Sequence, residues 1–187
     1  MRWLVLSMCL TMMPLGASAT QVVALDLDQM TDRADVIIMG KVTSVVAERP
    51  TEARGRIHTL VTVQASEVLR ADKQAATYTF SVPGGVVGKI GQLVPGAPRF
   101  VVGQEVLVLM SRHQGTQRLR VVGLSQGRYE VQRTAGQSAE IVSDRAGIGL
   151  VLRDPQGRIT DAPASHSVDR HLLVAALERI RARVRTR

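Results

Sequence analysis

The sequence predicts a mostly β protein, a small antiparallel barrel with a short helix before it and an amphipathic helix after it. Three observations support this fold class. Stretches with the β-branched, alternating pattern of strands follow one another, turns separate them, and helical periodicity is found only near the two ends. Strands joined by turns are typical of antiparallel barrels and sandwiches. A long curved hairpin at the start favours the barrel.

The first predicted elements are a short helix and this long hairpin. Residues 26–33 read DLDQMTDR, with an acidic start and two apolar residues three apart, as on one helical face. Residues 35–48 form the first strand, in which Gly40 indicates a bulge or bend. Residues 56–71 alternate apolar and polar side chains, so we expect them to pair with the first strand in an antiparallel hairpin.

The later strands are shorter, and the chain ends in a helical pattern. Strands are expected at residues 76–82, 103–112, 118–123, 127–133 and around residues 140 and 150. Residues 154–157 favour a β-turn. Residues 168–187 predict an amphipathic helix whose polar faces carry arginine. Its expected apolar face consists of Val168, Leu172, Ala176, Ile180 and Val184, with Leu173 and Leu177 beside them.

The start of the chain has the pattern of a secretory signal peptide. Arg2 precedes an apolar run of about a dozen residues, which is too short for a bilayer span of roughly 20. Small residues precede Thr20, so we expect cleavage between Ala19 and Thr20 and an exported, periplasmic or secreted protein. An uncleaved anchor is the alternative. Cys9 lies in the apolar run, so the mature chain has no thiol for a disulfide, a metal site or a nucleophile.

The composition suits one domain with an aliphatic core. We expect a signal peptide at 1–19, a β-barrel domain at 20–160, and a linker with a basic amphipathic helix at 161–187. The net charge of +8 comes mostly from arginine and is compatible with nucleic acid, anionic lipid or an acidic polymer as partner. Export disfavours nucleic acid. An arginine-rich composition without a binding role is the alternative interpretation.

The glycine-rich stretch at 81–100, SVPGGVVGKIGQLVPGAPRF, is the candidate functional loop. It fails the Walker A and Gly-x-Gly-x-x-Gly spacings, and no helix follows it to bind a phosphate. Its glycines can supply positive φ angles and its prolines stiffen the ends, which indicates a structured excursion between strands. A partner-binding loop is the alternative. The candidate contact residues are Gly84, Gly85, Gly88, Lys89, Gly91 and Arg99.

The sequence predicts no catalytic residue, metal site or cofactor. Residues 123–127, GLSQG, match the letters of a nucleophile elbow, but the following residues continue as a strand, so a β-turn is expected. A hydrolase alternative would use Ser125 with His171 or His113. His166 and His171 are five residues apart, which does not align two imidazoles on one helical face.

The sequence does not provide the residues expected for glycoside hydrolysis or for nucleic-acid binding. Glu105, Glu130 and Glu140 fall on different predicted strands, and nothing in the sequence pairs them for glycoside hydrolysis. Nucleic-acid binding on a barrel commonly uses stacked aromatic side chains, and these are few. We expect Phe80 and Phe100 to pack in the core.

Three stretches together resemble a known group of proteins. They are DLDQMTDRADVIIMGKVTSV, VPGGVVGKIGQLVPGAPRFVVGQEVLVLM and RVVGLSQGRYEV. The resemblance is to exported bacterial proteins, mostly uncharacterised, with a helix, an Ala-Asp-Val strand start, a Pro-Gly-Gly loop and a Phe-x-x-Gly-x-Glu strand start. The order of a short helix, a first strand that begins with DVII and a later strand with EVLVL is similar to that of the netrin-like modules of tissue metalloproteinase inhibitors. This resemblance implies an OB-like barrel. Those modules depend on cysteines that the mature chain lacks, so no inhibitory residue is carried over.

The sequence therefore predicts an exported, non-enzymatic interaction module whose partner is an unknown protein. Its expected contact surfaces are the glycine-rich loop and the basic C-terminal helix. A second hypothesis is association with an anionic membrane surface through that helix, because it is cationic, amphipathic and terminal. The competing interpretation is that its apolar face packs on the barrel. Nucleic acid is not expected as a partner.

Overall fold

The structure, a computed structural model, describes residues 20–50, 55–113, 118–144, 150–153, 156 and 168–186. The predicted signal peptide, most of the predicted turn at 154–157, and His166 lie outside the described residues. The elements in chain order are β1 (Thr20–Val23), α1 (Leu27–Arg33), β2 (Val36–Glu48), β3 (His58–Arg70), β4 (Thr77–Pro83), β5 (Gly85–Val87), β6 (Ile90–Gln92), β7 (Glu105–Arg112), β8 (Leu119–Val121), a 3₁₀ helix (Leu124–Gly127), β9 (Arg128–Gln132), β10 (Glu140–Asp144), β11 (Leu150–Arg153), β12 (Val168–Leu172) and α2 (Leu173–Arg185).

The main sheet has eight strands, is antiparallel and is open. Seven of them follow the order β12-β10-β9-β7-β2-β3-β4, and β8 pairs with the second half of β7. β1 and β11 form a parallel pair, and β5 and β6 form a hairpin. The mostly β prediction is confirmed. The strand pairing does not close into a ring, so the predicted barrel is not confirmed.

The first five residues of β2 and the middle of β7 are buried on both faces, which explains why their apolar residues run consecutively. Successive side chains of a strand point to opposite faces. One set packs with the two helices, and the other packs with β3 and β4. The first set contains Ile37, Met39, Leu107 and Leu109, and the second contains Val36, Ile38, Val106, Val108 and Met110.

A capping box fixes the start of α1 close to the predicted boundary. The Asp26 carboxylate accepts a hydrogen bond from the Gln29 backbone N–H at 2.8 Å. The Gln29 side-chain oxygen accepts one from the Asp26 N–H at 3.2 Å. This reciprocal pair satisfies two donors that a helix start otherwise leaves unpaired. Ala34 is extended and leads directly into β2.

The predicted bend at Gly40 is present in the β2–β3 hairpin. The pairing register shifts between Met39 and Gly40. A Cβ atom at Gly40 would collide with the carbonyl oxygen of Gln64 on β3. Glycine therefore permits the close backbone approach that bends this strand.

The C-terminal helix begins later than the sequence predicted. Residues 168–172 form β12, which pairs antiparallel with β10, so the placement of Val168 and Leu172 on a helical row was wrong. Their backbone groups gain hydrogen bonds from the sheet edge, which override the helical apolar spacing. Within α2, Leu173, Ala176, Leu177 and Ile180 are buried against the sheet.

Candidate interaction surface

The glycine-rich stretch folds as a short hairpin, β5 and β6, which the sequence did not predict. Gly88 and Lys89 form its two-residue turn, between the paired residues Val87 and Ile90. Gly88 has a φ of 59°, which suits a turn with glycine in its first central position. The expectation that glycines here supply positive φ is confirmed at Gly84, Gly85, Gly88 and Gly96.

The base of this hairpin is fixed to the start of β3. The Gly84 N–H donates to the Ile57 carbonyl at 2.9 Å, and the Thr59 hydroxyl donates to the Gly84 carbonyl at 2.7 Å. The Ile57 N–H donates to the side-chain oxygen of Gln92 at 2.7 Å. A Cβ atom at Gly85 would lie 2.6 Å from the Thr59 hydroxyl oxygen. Gly84 and Gly85 thus have structural roles in holding the hairpin against the sheet.

Beyond this base, the hairpin and the turn before β7 expose apolar side chains. Val86 and Leu93 are 68% and 70% exposed. Ile90 and Val101 are also more than half exposed. We call these four side chains, Val86, Ile90, Leu93 and Val101, the hairpin patch. Several exposed apolar side chains in one region are a feature of interaction surfaces.

A cleft of about 570 Å³, the main cleft, lies between the hairpin and the sheet. Three members of the hairpin patch line it, and its other walls include Val45, Val61, Val82 and Phe100. Gly84, Gly85, Gly91 and Arg99, four of the predicted contact residues, also line it. The other two, Gly88 and Lys89, form the exposed turn of the hairpin. The structure therefore brings most of the predicted residues together around one concavity.

A second cleft of about 340 Å³, the His58 cleft, shares a wall with the main cleft. The shared residues are Val82, Pro83, Gln92, Val94 and Pro98. Arg56, His58 and Arg120 also line the His58 cleft. Sequence reasoning missed this cleft, because Arg56 and Arg120 come from distant parts of the chain.

The His58 cleft is electropositive. Burial, followed by the charges of Arg120 and Arg118, holds the pKa of His58 below its usual value. Glu48, its cross-strand neighbour, acts in the opposite direction. The net lowering shows that burial and positive charge outweigh this carboxylate at the imidazole.

The C-terminal helix, the other predicted contact surface, is attached to the rest of the protein by its apolar face and by ion pairs. Arg179 makes a two-bond pair with Asp28 at 2.7 and 2.8 Å. Arg183 pairs in the same way with Asp32 at 2.8 and 2.6 Å. Hydrogen bonds from Arg179 lower the pKa of Asp28. The apolar face therefore packs on the sheet, and α1 provides partners for two cations. Association with a membrane stays a prediction.

The residues of the hydrolase alternative lie on three different elements. Ser125 is buried in the 3₁₀ helix between β8 and β9, where a β-turn was expected. His171 lies on β12, 3.0 Å from a carboxylate oxygen of Asp169. His113 is exposed at the end of β7. Within the described ranges, no three His, Cys, Asp or Glu side chains are grouped as metal ligands.

The glutamates considered for catalysis each form an ion pair with an arginine. The pairs are Glu105 with Arg133, Glu130 with Arg128, and Glu140 with Arg170. Such pairing favours the charged form of a carboxyl group. It lowers the pKa of Glu105, chiefly through hydrogen bonds from Arg133.

The predicted packing of Phe80 and Phe100 in the core is confirmed. Both are buried, and their rings meet edge to face with centroids 5.2 Å apart. The guanidinium of Arg128 lies 5.6 Å from the Phe100 ring centroid. This arrangement is favourable for both the aromatic pair and the cation.

Comparisons with protein families, curated proteins and solved structures found no match. The resemblances to exported bacterial proteins and to netrin-like modules therefore stay predictions. In the part of the chain that the structure describes, no helix has the length and apolar character needed to cross a membrane.

Proposed function

We propose that this protein is an exported, non-enzymatic interaction module that binds another protein through the hairpin patch and the main cleft. The observation that carries the proposal is the exposure of Val86, Ile90, Leu93 and Val101 beside an apolar cleft. Burying such side chains against a partner removes apolar surface from water, at roughly 25 cal/mol per Å². The signal-peptide pattern of residues 1–19 supports export.

The anchored base of the hairpin supports this role. Hydrogen bonds at Gly84 and Gln92 hold the base on β3, so binding would cost little ordering of the backbone. Cleft-lining side chains from three different segments then form a preformed surface. A loop supported by a sheet is a common position for recognition.

An OB-like barrel is the architecture that we propose for this support. β8 lies against β4, although the two strands are far apart in the pairing order of the sheet. Such an approach favours a sheet curled into a partly open barrel. The main cleft would then lie at one mouth of that barrel, where barrels commonly bind ligands.

The test is affinity capture with the mature chain from Thr20, incubated with periplasmic and secreted fractions. The variant carries Val86→Ser and Leu93→Ser, which change exposed side chains and keep the anchored base. Deleting the whole loop would also remove Gln92 and its hydrogen bond to Ile57. The matched control is Val23→Ser with Val46→Ser, which changes two exposed valines on β1 and β2 that line neither cleft.

We expect a protein that wild type and the control capture and that the double variant does not. Equal capture by all three chains would remove the hairpin patch as the contact surface. Turnover of a substrate that a single substitution abolishes without unfolding the protein would contradict the non-enzymatic assignment.

A further inference from the structure

The excess positive charge of this protein is not evenly neutralised. Many arginines form ion pairs with carboxylates of the same chain, including Arg112, Arg118, Arg128, Arg133, Arg170, Arg179, Arg181 and Arg183. Arg56 and Arg120 line the His58 cleft and are exposed. Among the described residues, no carboxylate lies within ion-pair distance of either one.

The carboxylate that acts on His58 is shared with an arginine other than Arg56 and Arg120. Glu48 faces His58 across the β2–β3 pair, and its carboxylate lies 4.0 Å from Arg118. Its charge is thus shared with a third arginine. Arg56 and Arg120 therefore keep their donor groups available to an external anion.

The walls of the cleft restrict what that anion can be. Apolar side chains, among them Ile57, Val94 and Leu124, line it together with the basic residues. A cleft of about 340 Å³ is large enough for a side chain and a short piece of backbone. A carboxylate carried on a short aliphatic stem matches both the cationic rim and the apolar wall.

We propose that the His58 cleft binds an acidic side chain of the partner protein, from an extended segment in which acidic and apolar residues alternate. This inference rests on the proposed function and adds the chemistry of the partner. The shared wall at Pro83, Val94 and Pro98 places the two clefts side by side. An acidic residue in the His58 cleft and an apolar residue in the main cleft can therefore belong to one segment.

The experiment titrates the mature protein with a pool of capped hexapeptides that alternate Glu or Asp with Val or Leu, and follows binding by fluorescence anisotropy. A second pool has Gln and Asn in place of the acids. The cleft variant is Arg56→Gln with Arg120→Gln. The matched control is Arg33→Gln with Arg185→Gln, which removes the same charge from exposed arginines at helix ends.

We expect the acidic pool to bind wild type and the control equally, and the cleft variant about 10-fold or more weaker, as for loss of charge-assisted hydrogen bonds. The amide pool should bind at least about 10-fold more weakly than the acidic pool. Because the substituted arginines are exposed, thermal unfolding should change little, which separates lost binding from lost folding.

The inference would be overturned if the acidic pool did not bind wild type at millimolar concentration, or if both peptide pools bound equally well. It would also be overturned if the cleft variant and the control lost the same amount of peptide binding. A fourth contradicting result is complete displacement of the acidic peptides by inorganic phosphate at equal concentration. A fifth is loss in the cleft variant of binding to phosphatidylglycerol vesicles while peptide binding is unchanged. Capture that depends on Val86 and Leu93 but not on Arg56 and Arg120 would leave the proposed function intact and reject only the anion site.

Discussion

At the scale of single residues, the contact between the hairpin and β3 depends on Gly85. Its φ of 136° and the 2.6 Å approach to Thr59 leave no room for a side chain. We expect Gly85→Ala to lower the free energy of unfolding by about 2–3 kcal/mol, through backbone strain and overpacking. Urea denaturation measures this change. Gly91→Ala is the control, since the nearest atom to its Cβ would be 3.7 Å away. Equal costs for both substitutions would contradict the close packing of the base.

Gln126 is a buried polar residue that joins the N-terminal segment to the 3₁₀ helix. It is 0% exposed, its side-chain oxygen accepts from the Leu25 N–H at 2.8 Å, and its amide nitrogen donates to the Val23 carbonyl at 3.0 Å. We expect Gln126→Leu to destabilise the protein by roughly 2–4 kcal/mol, because two backbone groups lose their partners. Thermal unfolding measures this loss. The exposed Gln132→Leu provides the comparison, and a loss no larger than its loss would show that the Gln126 bonds contribute little.

At the scale of elements, α2 is stabilised mainly by its buried face. Ile180 is fully buried between the helix and the sheet, whereas Val174 is exposed. We expect Ile180→Ala to cost about 2–4 kcal/mol in the free energy of unfolding and Val174→Ala less than about 0.5 kcal/mol. Chemical denaturation distinguishes the two. If Ile180→Ala left stability unchanged but weakened vesicle binding, the membrane hypothesis would gain over the packing that we describe.

The elements also show which sequence signals are reliable. The strands at residues 36–48, 58–70 and 105–112 were predicted within about two residues, because long β-branched runs allow few alternatives. β5 and β6 were missed, since three-residue strands containing glycine have no detectable periodicity. β12 was assigned to the helix because its apolar residues continue the spacing of α2. Only pairing with β10 decides that segment.

At the scale of the whole molecule, His58 makes stability depend on pH near neutrality. Burial, Arg120, Arg118 and Arg56 lower its pKa below 6.5, and Glu48 opposes them. Between the folded pKa and 6.5, His58 is protonated to a greater extent in the unfolded chain than in the folded protein. The free energy of unfolding therefore falls as the pH falls through this window. We expect His58→Gln to reduce this slope in urea denaturation from pH 7.5 to 5. The other histidines are present in both proteins, so an unchanged slope would refute the assignment to His58.

In acid, the ion pair between the two helices contributes a second pH dependence. Hydrogen bonds from Arg179 lower the pKa of Asp28 below 3.8, so this stabilisation is present above pH 3.8 and is lost as the pH falls through the folded pKa. We expect Asp28→Asn to cost less than about 1 kcal/mol at pH 7, since solvent screens this exposed pair. The difference from wild type should shrink as the pH falls below 3.8 and through the folded pKa. A constant difference across this range would argue against the pair.

The candidate site could be located from the sequence only in part. Proline and glycine marked the stretch from 81 to 100 as a structured loop, because these residues restrict or extend the allowed backbone angles. The sequence could not show that Val86 and Val101 line the main cleft together, or that Arg56 and Arg120 line the His58 cleft. Those neighbours are far apart in the chain.

The sequence by itself determined the mostly β composition, the short first helix with its acidic start, and the long bent hairpin. Each depends on local backbone preferences or on periodicity within one segment. The tertiary structure alone decided that the sheet stays open, that residues 168–172 join it as β12, and that the two clefts share a wall. These features depend on hydrogen bonds and side-chain contacts between segments that are distant in the sequence, and the residue spacing within one segment does not report such contacts.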